Sequence, residues 1–83
     1  MRPDDLRELL RRQPFRPFRL FVSDGASYDV LHPEMVNLLR AAIQIILPVS
    51  GILGVPVERM VLVSFIHITR VEVFPPGGMF PSP

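Results

Sequence analysis

Phe18-Arg19-Leu20-Phe21-Val22-Ser23-Asp24-Gly25-Ala26-Ser27-Tyr28-Asp29-Val30 is the stretch that decides the fold. Phe18, Leu20 and Val22 alternate with Arg19 and Phe21, a period of two that sends one set of side chains to a buried face. Asp24-Gly25 breaks the alternation with the strongest short hairpin signal in the chain, because both central positions of the favoured two-residue turn want φ > 0. Ala26, Tyr28 and Val30 then alternate with Ser27 and Asp29 on the way back. The stretch predicts an antiparallel hairpin with one buried face.

On its N-terminal side, residues 3–12 read as a short amphipathic helix. Leu6, Leu9 and Leu10 fall at i, i+3 and i+4 and make one apolar stripe. Pro3 suits the first turn, Asp4, Asp5 and Glu8 lie toward the positive end of the helix dipole, and Arg11 and Arg12 toward the negative end. Pro14 and Pro17 stop the helix and stiffen an extended crossing into the hairpin. A helix this short is marginal alone, so its leucines must dock on the sheet.

On the C-terminal side, His32-Pro33-Glu34 makes a corner at which Pro33 cannot donate to a ladder. Residues 36–40 and 43–47 read as a second hairpin. Residues 48–59 read as a loop from Pro48, Gly51, Gly54 and Pro56, though Ile52, Leu53, Val55 and Val57 make it an unusually apolar one. Residues 60–65 are almost continuously apolar, as in a strand buried on both faces. Residues 66–69 read as one helical turn, and Val71 and Val73 alternate with Arg70 and Glu72 in a last strand. The tail from Pro75 onward cannot pair and is expected to be disordered. The expected organisation is one domain over residues 3–74 followed by that tail.

Composition narrows the chemistry. The chain has 83 residues, 48% of them apolar and 20% charged, with a formal net charge of +1. That size allows one small domain and excludes a two-domain enzyme. With no cysteine, disulfides, thiolate metal sites and cysteine nucleophiles are excluded. All nine basic side chains are arginines, and six of them lie in residues 1–19. No serine stands in a G-x-S-x-G context, and the glycines form no phosphate-binding fingerprint. Asp29, His32 and Glu34 are close in sequence, but two histidines 35 positions apart make a poor basis for a three-ligand metal site. His32 and Asp24 therefore read as corner and turn residues, and His67 as a structural histidine. No catalytic residue, cofactor, metal or small-molecule substrate is expected, and the chain is not expected to be an enzyme. Residues 41–57 are uncharged, yet Pro48, Gly51, Gly54 and Pro56 deny them a spanning helix, and no apolar leader opens the chain. A cytoplasmic protein is expected, with no membrane role.

The order of elements, a helix, about five short strands and one helical turn before the last strand, resembles the Sm-like small β-barrels. Residues 20–25, 26–31 and 66–73 carry that likeness. The wording PFRPF at 14–18, DG at 24–25, HPE at 32–34 and HITR-V-E at 67–72 is similar to a group of short uncharacterised bacterial proteins and spans residues 4–74. The resemblance implies a mainly β (α+β) fold with one N-terminal helix, a small Sm-like or SH3-like antiparallel β-barrel. It also implies RNA contacts around residues 32–34 and 65–69. Ile66 stands where the family's bacterial RNA chaperone carries a lysine, leaving only His67 of its Lys-His pair. An Sm-like RNA-binding protein would here use Arg7, Arg11, Arg12, Arg16, Arg19 and His67, with Phe15 or Phe21 for stacking.

The first expectation is different. One barrel interior takes Phe18, Leu20, Val22, Tyr28, Val30, Val36, Leu38, Ile45, Val61, Val63 and Val71. Left over are Phe21, Phe74 and a set concentrated in one region: Ile46, Ile52, Leu53, Val55, Met60 and Leu62. Apolar surface of that extent marks an interface. The sequence predicts a non-catalytic β module that self-associates as a homo-oligomer through those six residues.

Overall fold

The anchoring hairpin forms as β1 (Phe18–Val22) and β2 (Ser27–Val30), with Phe18 opposite Val30 and Leu20 opposite Tyr28. The computed structural model describes residues 2–75, so the expected tail beyond Pro75 lies outside the described residues. The turn differs from the two-residue form predicted. The Val22 N–H donates to the Ala26 carbonyl and the Gly25 N–H donates to the Val22 carbonyl, and only Gly25 of the turn has positive φ, +93°. Asp24 instead accepts from the Ala26 N–H at 2.9 Å, an Asx turn that replaces the missing ladder bond. A Cβ added to Gly25 would meet nothing within 4 Å, so the whole cost of a substitution there is backbone strain. Gly25→Ala should cost about 1 kcal/mol and lower Tm by about 4–8 °C in a thermal melt.

The last strand, β6 (Ile68–Val73), pairs with the other side of β1, giving a sheet of order β2-β1-β6. A second sheet has order β3-β4-β5, from β3 (Val36–Leu38), β4 (Ala42–Ser50) and β5 (Pro56–Ser64). All pairings are antiparallel. The expected Sm-like or SH3-like barrel of about five strands is therefore corrected: the fold is a small α+β arrangement of one helix and two separate three-stranded sheets, neither closed into a barrel. The breaks have local causes. Between β2 and β3 the chain passes through His32 into a 3-10 turn at Pro33–Met35, where proline lacks the N–H a continuing ladder needs. Between β5 and β6 a 3-10 turn at Phe65–His67 redirects the strand.

Two further expectations are corrected. Residues 48–59 are not a loop, because β4 runs on to Ser50 and β5 begins at Pro56, leaving only a tight tip. And β5 is not buried on both faces, since Val63 is buried whereas Met60 and Leu62 are each 60% exposed. Alternation explains this: Val61 and Val63 lie opposite Ile45 and Ile43 on the core side, and Met60 and Leu62 lie opposite Ile46 and Gln44 on the outer side.

The core sits between the sheets. Phe18, Leu20, Val30 and Ile68 come from the first, Val36, Ile43, Ile45 and Val63 from the second, and Phe65 from the turn that joins them. The helix α1 (Pro3–Arg11) buries Leu6 completely in this cluster, with Leu9 and Leu10 packed against its margin. That stripe supplies the docking contact a nine-residue helix requires.

Candidate self-association surface

The far half of the β4–β5 hairpin is built differently from the near half. β3 reaches β4 only at Ile43, Gln44 and Ile45, so from Ile46 outward the second sheet has only two strands. A two-stranded ribbon is marginally stable in water, and this one carries apolar side chains on both faces. Ile46 lies opposite Met60 on the outer face, and Val49 lies opposite Val57 on the other. Val49, Val55, Val57, Met60 and Leu62 are all exposed, whereas Leu47 is partly buried against the core.

The tip holds a local cost. Leu53 is 95% exposed and stands at φ +63°, in the left-handed region that leucine rarely adopts. Gly54 follows at φ +74°, and the tip is closed by the Gly51 N–H donating to the Val55 carbonyl at 2.8 Å. Gly51 cannot be anything larger, because a Cβ there would lie 2.7 Å from that same carbonyl oxygen. Being almost wholly exposed, this leucine contributes nothing to packing within the chain.

Of the six residues expected to mediate self-association, Ile46, Met60 and Leu62 fall on one outer face and Leu53 and Val55 fall at the tip of the same ribbon. The side chain of Ile52 lies outside the described residues. Val49 and Val57 belong to the same ribbon and were missed, because reading 48–59 as a loop hid the alternation that exposes them.

The arginines expected to contact RNA are mostly engaged elsewhere. Arg7 pairs with Asp4 at 2.8 Å, and Arg16 donates to the Phe74 carbonyl at 2.9 Å. Arg19 makes a two-pronged contact with Asp29, its cross-strand neighbour, at 2.7 and 3.2 Å. That carboxylate's hydrogen bond and charge, with Glu72 across the other ladder, hold the Arg19 guanidinium above its ordinary pKa. Arg70 stacks over the Phe21 ring at 3.9 Å and pairs with Glu72, so the outer face of the first sheet is covered by its own ion pairs. Arg11 and Arg12 are exposed at the helix end. His67 pairs with Ser23, its Nδ1 lying 3.2 Å from the Ser23 hydroxyl, a contact across 44 positions that no sequence motif signals.

His32 and Glu34 are exposed at their corner, and Asp29 is occupied by Arg19. Among the described residues no group of three or more His, Asp or Glu side chains is placed to hold a metal ion. Among the described residues, too, no helix is long and apolar enough to cross a membrane.

No protein family, curated protein or solved structure matches the chain.

Proposed function

We propose that this protein is a self-associating module whose β4–β5 ribbon packs against a second copy of the chain, face to face. The single observation that carries the reading is the outer face of the ribbon, where Met60 and Leu62 are each 60% exposed beside Ile46. Packing that face against its own copy removes the apolar side chains from water and gives a two-stranded ribbon the second layer it lacks. A face contact fits better than pairing of strand edges. Pro56, Glu58 and Arg59 lie along the free edge of β5 and Pro48 lies on the outer half of β4 that β3 leaves free, and proline and charge are the residues that blunt edge pairing. The face itself is nearly neutral, with Glu58 its only charged group on β5.

Light scattering coupled to size-exclusion chromatography tests this directly. The expected mass at tens of micromolar is a multiple of the 9.4 kDa chain, decreasing on dilution. A chain-sized mass throughout that range would overturn the reading.

A further inference from the structure

Between the β1–β2 turn and the C-terminal half of β5 lies an open cleft of about 310 Å³. Its apolar lining comes from Val22, Tyr28, Val61 and Val63, which are buried or half-buried, and from Leu62, which is exposed. Its polar lining comes from Ser23, Asp24, Ser64 and His67, of which Ser23, Asp24 and His67 are exposed, so these three and Leu62 face the opening while Val22, Tyr28, Val61 and Val63 lie deeper. The entrance is fixed in place. The Ser23 N–H donates to the His67 carbonyl at 2.8 Å while the two side chains meet at 3.2 Å, which ties the first hairpin turn to the turn before β6. A volume of this size is at the lower bound of ordinary small-molecule sites, which combine apolar walls with a few placed polar groups.

Charge selects the ligand. Among the described residues, Asp24 brings the one carboxylate in the lining and no arginine lines the cleft. Its Oδ1 accepts from the Ala26 N–H, which orients the carboxylate without neutralising it. An anion would meet that charge with only the His67 imidazole beside it, whereas an ammonium group would find a carboxylate acceptor and two serine hydroxyls, with an aromatic ring in the same lining. We propose that the cleft binds a small amine carrying an apolar or aromatic body, with the ammonium at Asp24 and the body against Val22, Val61 and Val63. Leu62 belongs both to this lining and to the proposed self-association face, whereas Asp24, on which the amine preference turns, lies on the first hairpin turn and outside that face.

The probe pair is phenethylamine and phenylacetate, alike in shape and opposite in charge, titrated into the ¹⁵N-labelled full chain. Phenethylamine should give saturable amide shifts confined to residues 22–24, 61–64 and 67, and phenylacetate should bind at least tenfold more weakly. Asp24→Asn keeps an oxygen to accept from the Ala26 N–H and removes only the charge, so the spectrum should otherwise be preserved while amine affinity falls at least tenfold. Equal binding of the two probes, shifts that scatter or fail to saturate, or an amine affinity unchanged in Asp24→Asn would each overturn the proposal.

Discussion

Phe18→Ala should come close to unfolding the protein. Phe18 opens β1, is fully buried, and lies opposite Val30 on one side and Val73 on the other, so both ladders of the first sheet start from it. The Phe15 ring packs beside it at 6.1 Å in a tilted arrangement. Truncating a buried phenylalanine to alanine costs about 3–5 kcal/mol from lost transfer energy and the cavity left behind. A domain of 83 residues has a total stability of roughly 4–12 kcal/mol. Urea unfolding should therefore show either a midpoint shifted by a large part of its range or no folded baseline at all. Phe18→Leu, which keeps much of the volume, should lose far less. Equal small losses in both variants would mean that the first sheet and the helix do not share one core.

The strands and their inward faces were legible because alternation is a local signal. Every side chain assigned to the interior from Phe18 to Val71 is buried or packed against the core. The helix was legible for the same reason, from Leu6, Leu9 and Leu10. Closure was not. Whether β2 continues into β3 depends on where the ladder stops after Val30, and the proline that stops it also fits a bent strand that continues. The β4–β5 ribbon was obscured by Pro48, Gly51, Gly54 and Pro56, which signal a loop locally. Paired across a long hairpin, Pro48 opposite Glu58 and Ser50 opposite Pro56, they are compatible with two strands. A ladder of nine residue pairs outweighs the local preference. The candidate surface was half legible: an excess of apolar residues over core volume could be counted, but not which face they would occupy. The Ser23–His67 contact was not legible, because it depends on two turns meeting.

Lysines at two positions should dissociate the assembly without unfolding the chain. In Met60→Lys/Leu62→Lys, both side chains project from the outer face of β5, away from Ile43, Ile45 and Val63, so the core keeps its packing. Lysine is the better choice than glutamate, because Glu58 lies two positions before Met60 on the same face and would repel a second carboxylate. In the free chain the lysine heads stay in water and their stems cover what the methionine and leucine covered. In a face-to-face pair each copy would bury two ammonium groups against two more. Glu58 can pair with the lysine at position 60, but the lysine at 62 has no second carboxylate on its face of β5. Burying an unpaired charge costs several kcal/mol, and each 1.4 kcal/mol is about tenfold in affinity, so the dissociation constant should rise by a factor of about 100 or more. Light scattering at tens of micromolar should then report the 9.4 kDa chain alone, with a thermal melt close to that of the parent at high dilution. Glu8→Gln, on the exposed side of α1, should leave the assembled mass unchanged. If the double lysine variant kept the parent's mass, self-association would run through some other surface.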